Sequence, residues 1–291
     1  LLSYIFVVQL LYLSSKGCLK LSNKMKVLVS GSNGQLGSCL RELSGSFDEL
    51  EFKFCDSQQL DLTSKKSIEK AFLSDTYQFF VNCGAYTKVD KAEDEKELCY
   101  KINAEALGHI AEICSGDCKI IHISTDYVYH HNPGRALEET DGCHPQSVYA
   151  KSKLEGEKML SKLRPEAIIL RTSWVYSEYG HNFVKTMMRL GKERDELSIV
   201  ADQIGSPTYA KDLAACIIHL IENDQQLATK GVFNYSNLGQ CSWADFAESI
   251  FSYANIQCKV KRIPTSDYPT PAKRPLWSVM SKEKIKTSSH I

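Results

Sequence analysis

KVLVSGSNGQLGSCLREL, residues 26–43, is the stretch that decides the fold. Its first five residues, 26–30, are apolar and β-branched, the pattern of a strand buried on both faces. Three glycines follow at Gly31, Gly34 and Gly37, and the segment from Gln35 to Leu43 has helical periodicity. Strand, glycine turn and helix in that order are the context a dinucleotide fingerprint requires. Gly31 permits the tight turn, Gly34 lets the backbone approach a pyrophosphate, and Gly37 lets helix and strand pack closely. The helix N-terminus offers unpaired N–H groups to phosphate. The spacing is G-x-x-G-x-x-G rather than G-x-G-x-x-G, and a plain β-α turn with incidental glycines is the alternative reading. Asp56 stands about 20 residues beyond, where an acidic side chain bonds a ribose 2′-hydroxyl; a strand-end turn residue is its bland counterpart.

A second stretch, VYAKSKLEGEKML at 148–160, places Tyr149 and Lys153 at i and i+4 on one helix face. A phenol is a weak acid at neutral pH, with a pKa of about 10, and a neighbouring cation favours its ionised form. The pair can therefore exchange a proton with a carbonyl or alcohol oxygen. Tyr-x-x-x-Lys alone also occurs on solvated helices. Its weight comes from the glycine turn upstream and from the hydroxyl pair Ser124 and Thr125 between them.

From residue 25 onward strands and helices alternate. Strand patterns fall at 49–55, 77–83, 119–124 and 167–172, with helices at 64–74, 91–114 and through Tyr149. Repeated β-α units predict an α/β fold: a Rossmann-type, doubly wound parallel sheet. Ligands of such sheets bind outside the carboxyl ends of the strands. The glycine turn, residues 82–87, 124–127 and 171–176 all fall there. Residues 25–175 are read as the NAD(P)-binding domain, with helices added from later segments. Residues 176–291 are read mainly as a smaller C-terminal substrate-binding lobe, with a helix at 181–191 and strands at 197–201 and 231–236. Helices at 208–222 and 243–254 complete that lobe, and YPTPAKRP, 268–275, is a loop.

At 291 residues and 43% hydrophobic composition the chain can bury a large core. Formal net charge is zero, which argues against bulk electrostatic binding to nucleic acid or membrane. The 11 cysteines are scattered without a C-x-x-C pair, which suits a reducing, cytoplasmic setting. The uncharged run LLSYIFVVQLLYL at 1–13 is short for a bilayer span. Residues 1–24 are expected to be an appendage outside the fold, and no membrane association is expected.

With these residues assembled, the chain resembles the extended short-chain dehydrogenase/reductases, and within them the dTDP-4-dehydrorhamnose reductases. The resemblance rests on GSNGQLG (31–37), NCGAYTKVDKAE (82–93), STDYVY (124–129), VYAKSK (148–153), RTSWVYS (171–177), DQIGSPTYAKDLA (202–214) and YPTPAKRP (268–275), in order. It implies hydride transfer from NADPH or NADH to the C4 ketone of a dTDP-sugar. Tyr149 would be the proton donor, Lys153 would hold the nicotinamide ribose and lower the phenol pKa, and Thr125 would bind the carbonyl oxygen. Ser124 is taken as structural. By position, Gly34, Gln35 and Leu36 would touch the pyrophosphate. Asp61 and Leu62 would flank the adenine, and Ala85, Tyr86 and Thr87 would run along the cofactor. Thr125, Asp126 and Trp174 match the sugar-nucleotide positions; a core aromatic is the alternative for Trp174, and Asn103 is left even between a site role and a satisfied polar group.

Some bacterial relatives dimerise through a magnesium site that uses an acidic residue within 202–214. Lys211 takes that place here, so no metal is expected, and a homodimer is left open. The resemblance also implies a closing C-terminal helix, for which the stretch ending at Ile291 looks short. Two other classes share the superfamily: a regulatory subunit like the β subunit of methionine adenosyltransferase, and a sugar-nucleotide epimerase. The intact Thr125, Tyr149 and Lys153 set favours the reductase, and Asp126-Tyr127 after Thr125 does not fit a dehydratase.

Overall fold

A computed structural model of the chain describes residues 24–114, 116–227 and 229–289. The appendage expected at 1–24 lies, but for Lys24, outside the described residues. The strands run in chain order as β1 (Met25–Ser30), β2 (Leu50–Phe54), β3 (Phe79–Asn82), β4 (Lys119–Thr125), β5 (Ile168–Thr172), β6 (Val175–Tyr176), β7 (Glu196–Val200), β8 (Ile204–Gly205), β9 (Thr208–Tyr209), β10 (Gly231–Tyr235), β11 (Cys241–Ser242) and β12 (Lys259–Ile263).

A 6-stranded sheet has the order β10-β5-β4-β3-β1-β2, with every neighbouring pair parallel. This is the Rossmann-type fold. The chain leaves β1 for β2 on one side and returns to β3 on the other, so the order reverses between β1 and β3. Such a switch point opens a crevice at the carboxyl ends of the two strands.

Alternation along β1 builds a core on each face of the sheet. Val27 and Val29 join the apolar layer beneath the helices Gln35–Ser44 and Ala210–Glu222; Leu28 joins the opposite layer with Ile68, Leu107 and Leu160. Later segments thus contribute the strand β10 as well as helices to this sheet. A smaller cluster around Met187, Leu197, Ile199, Ala247 and Phe251 holds the β7–β12 pair against the helices Phe183–Glu193 and Trp243–Tyr253. The latter helix starts on a reciprocal capping box between Ser242 and Asp245. Past the YPTPAKRP loop a helix spans Glu283–Ser289, and its Ile285 is buried against the first core.

The helix expected across 91–114 is broken. A short helix Lys96–Tyr100 leads into a π turn over Lys101–Glu105 and then the helix Ala106–Ile113. The extra residue in the wide turn rotates the inward face. Leu98, at helical spacing with Ile102, Ala106 and Ile110, is exposed, whereas Cys99 and Asn103 are buried. Among the described residues no helix is long and apolar enough to cross a membrane.

Candidate active site

At the end of β1, Gly31 has φ +65°, and a Cβ there would lie 2.6 Å from Gly84 N of the loop after β3. The two loops at the switch point therefore touch, and only glycine fits both the dihedral and the space. Gly34 opens the helix Gln35–Ser44 without any side-chain cap. The N–H groups of Gln35, Leu36 and Gly37 precede the first intrahelical donor, Ser38 N, which bonds Gly34 O (3.0 Å), and so have no partner within the helix. The side chains of Gln35 and Leu36 are engaged elsewhere. Leu36 is buried in the core, and Gln35 Oε1 accepts from Ser177 Oγ (3.1 Å) and Asn182 Nδ2 (2.9 Å). Both residues thus present only backbone to the turn. Ser32 Oγ is buried there without a hydrogen-bond partner. A cradle cleared of side chains, with backbone donors and a spare hydroxyl, fits a pyrophosphate-bearing dinucleotide.

Asp56 follows β2 and faces the turn: Oδ2 accepts from Asn33 Nδ2 (3.3 Å), and Oδ1 accepts from the N–H groups of Gln58 (2.9 Å) and Gln59 (3.0 Å). It is thus both a turn residue and an acceptor at the crevice. Asp61 turns back on its own loop, accepting from Thr63 N and Oγ1, each at 2.8 Å. Leu62 packs beneath Gly84, with its methyl 2.7 Å from where a Cβ would stand. After β3, Ala85 is half-buried, Tyr86 buried and Thr87 exposed. Asn103 pins this loop: its Oδ1 accepts from Tyr86 N (2.9 Å), and its Nδ2 donates to Tyr86 O (3.1 Å) and to Ser152 Oγ (3.0 Å). Asn103 is therefore a loop-positioning group with its amide fully used.

The helix Val148–Leu163 starts at Ser147, whose hydroxyl accepts from Ala150 N, and it carries Tyr149 to the end of β4. The Thr125 hydroxyl lies close to the Tyr149 phenol, and the Tyr127 ring packs edge-on against it at 5.8 Å. Burial pushes the phenol pKa well above its ordinary value, and the neighbouring Thr125 hydroxyl offsets this only in part. Lys153, implied from sequence to tune this phenol, makes no hydrogen bond to it. The Lys153 amine instead donates to Ile123 O (2.6 Å) and lies 3.1 Å from His122 Nε2. Burial depresses its own pKa to about 8 against the pull of Glu157 and Cys99.

Ser124 and Thr125 are separated by function. The Ser124 hydroxyl donates to Glu157, which is itself held by Arg171 (Nη2 to Oε2, 2.6 Å) in a buried ion pair. Thr125 faces the other way: its Oγ1 donates to Asp126 Oδ1 (3.1 Å). Asp126 is 2% exposed, burial raises its pKa to about 7, and Oδ2 has no hydrogen-bond partner. Trp174, just past β5, adopts φ +48°, which a bulky side chain rarely takes. Its ring stacks on Trp243 (3.5 Å, 8°) with its edge over Gly205.

Several participants were not foreseen from sequence. Trp243 carried no motif. Asp90 and Arg274, which tie the loop after β3 to the YPTPAKRP loop (Nη2 to Oδ2, 2.6 Å), lie in motifs but are far apart in sequence. His122, Asn82 and Ser30 read as strand residues. Lys211 pairs with Glu42. No group of three or more His, Cys, Asp or Glu among the described residues is placed to hold a metal ion.

A family model described as the RmlD substrate binding domain matches residues 25–291. The chain is 40% identical over 269 residues to a dTDP-4-dehydrorhamnose reductase of Aggregatibacter actinomycetemcomitans, covering 89% of this chain and 92% of the relative. A crystal structure of dTDP-4-dehydrorhamnose reductase from Bacillus anthracis str. Ames, in complex with NADP, superimposes with TM-score 0.85 at 39% identity, covering 91% of this chain and 92% of that one. A structure from Clostridium acetobutylicum ATCC 824 matches with TM-score 0.85 at 40% identity, covering 91% and 94%. The family model and these relatives cover the same span, and the chain belongs to the dTDP-4-dehydrorhamnose reductase family of oxidoreductases.

Proposed function

We propose that this enzyme reduces the C4 ketone of dTDP-4-dehydro-L-rhamnose to give dTDP-L-rhamnose, with NADPH or NADH as cofactor. One observation carries the reading: the Tyr149 phenol and the Thr125 hydroxyl converge at the carboxyl end of β4. The relatives of this size and identity bear the name of that reaction, and one was crystallised with NADP.

The backbone of Gly31, Gly34, Gln35, Leu36 and Gly37 holds the pyrophosphate, with Asp56 at the adenosine ribose. Asp61 and Leu62 border the adenine, Ala85, Tyr86 and Thr87 line the path along the cofactor, and Lys153 holds the nicotinamide ribose. A bound nicotinamide supplies the hydride that the ketone carbon takes up. Thr125 turns its proton from Asp126 to the substrate carbonyl and so polarises it. Tyr149 then delivers its proton to the oxygen as it becomes an alkoxide. A phenol whose pKa is raised is fully protonated at neutral pH, as a donor must be, and an alkoxide is the stronger base. Asp126 and Trp174 contact the sugar nucleotide. Positioned proton transfer contributes about 10²–10⁴ in rate, and donors aimed at the developing oxyanion add a further term.

Replacing Tyr149 with Phe tests this directly. Steady-state kinetics should show kcat down by about a hundredfold with NADPH affinity unchanged. A variant that turns over like the wild type would remove Tyr149 from the mechanism.

A further inference from the structure

Behind Lys153 a buried row of polar side chains crosses three neighbouring strands. Ser30 on β1 is in register with Asn82 on β3, and Asn82 with His122 on β4. Gly84 N donates to Ser30 Oγ (3.2 Å), Ser30 Oγ donates to Asn82 Oδ1 (2.6 Å), and Asn82 Nδ2 lies 3.1 Å from His122 Nδ1. His122 Nε2 lies 3.1 Å from Lys153 Nζ. None of the four side chains is more than 2% exposed. The reaction proposed above uses only Lys153 among them.

Proton counting constrains this row. His122 is neutral, because burial first and the Lys153 charge second hold its pKa well below the ordinary value. A neutral imidazole has one N–H and one lone pair, whereas an ammonium only donates. When Lys153 is an amine, Asn82 Nδ2 donates to Nδ1, and Nε2–H donates to the amine nitrogen, which itself donates to Ile123 O. When Lys153 is an ammonium, Nε2 must accept, so the ring proton moves to Nδ1. The Asn82 amide then turns its oxygen to Nδ1 and its nitrogen to Ser30 Oγ, and the Ser30 proton is released from Asn82. The two arrangements differ by one proton overall.

We propose that His122 is the positioning residue for Lys153, and that the two exchange donor and acceptor roles whenever Lys153 changes charge. The row transmits that exchange through Asn82 and Ser30 to Gly84, which touches Gly31 of the cofactor cradle. Other ionisable groups facing Lys153 are Glu157 on its own helix and Cys99 on the helix Lys96–Tyr100. Glu157 is already neutralised by Arg171 and bonded by Ser124, which leaves His122 as the partner that must change role.

The inference rests on the reductase reading for its kinetic arm only. NMR of the full chain with 15N-labelled histidine needs no turnover. Below pH about 8 the His122 ring should be the Nδ1–H tautomer, and above it the Nε2–H tautomer. A single tautomer on both sides overturns the proposal and leaves the reductase reading standing. Kinetically, His122→Leu should lower kcat about tenfold, because a misplaced Lys153 misplaces what it holds. The alkaline limb of its pH profile should fall by about one unit, since the ammonium loses an acceptor. His122→Gln, which returns an acceptor oxygen, should restore most of both. A folded His122→Leu with wild-type kcat and limb, or two variants that differ from wild type only in melting temperature, would overturn the assignment. A wild-type protein without turnover would instead sink the reductase reading.

Discussion

Asp126 is the residue whose surroundings make the sharpest demand. Its carboxyl is buried beside Thr125, and its pKa is raised from 3.8 to about 7. Between those values the folded state holds more protons than the unfolded one. This group's contribution to stability is therefore full below pH about 4 and lost as pH rises through about 7. Asp126→Asn removes the burdened charge, so its melting temperature relative to wild type should be higher at pH 8 than at pH 5. Equal differences at the two pH values would show that Asp126 is not strained as a carboxylate. At this scale the sequence was legible where a motif fixed the position, as with Tyr149, Lys153 and the glycines. It was silent where chemistry depends on cross-strand register. Ser30, Asn82 and His122 are adjacent only because β1, β3 and β4 align, and Lys153 turns to that row because it lies within reach.

Among the elements, the π turn at Lys101–Glu105 and the Tyr149 helix are fitted to each other. A Cβ on Gly156 would stand 2.1 Å from Asn103 O, a backbone atom that cannot swing aside. Gly156→Ala should therefore destabilise the protein by about 1–3 kcal/mol, the ordinary cost of overpacking. Because Asn103 carries the Tyr86 loop, NADPH affinity should fall with it. Urea unfolding and cofactor titration measure the two effects, and an alanine variant of wild-type stability would contradict this packing. Periodicity alone reads 91–114 as one helix, since Leu98, Ile102, Ala106 and Ile110 recur at helical spacing. The π turn escaped because it is imposed by tertiary demands: a buried asparagine holding a loop and a helix pressed against its carbonyl. The two-residue strands β6, β8, β9 and β11 escaped for a simpler reason, being too short to show alternation.

Across the whole molecule, the sequence order of strands predicts the doubly wound sheet, because alternating β-α units have few ways to bury both faces of a parallel sheet. It does not show that β10 returns to pair with β5, since GVFNY reads equally well as a strand of the smaller lobe. That return threads the chain through both layers, with the helix Ala210–Glu222 packed in the main core and the β7–β12 pair outside it. The crevice between β1 and β3, the Tyr149 helix and the Trp174–Trp243 stack then lie along the same carboxyl-end edge. On the function proposed above, this edge reduces a sugar ketone at the expense of a nicotinamide. The most direct measurement supplies the purified chain with dTDP-4-dehydro-6-deoxyglucose, a 3,5-epimerase and NADPH, following nicotinamide absorbance and product together. NADPH should be consumed in step with the appearance of dTDP-L-rhamnose; protein that binds NADPH yet never oxidises it in that mixture would rule the reductase reading out.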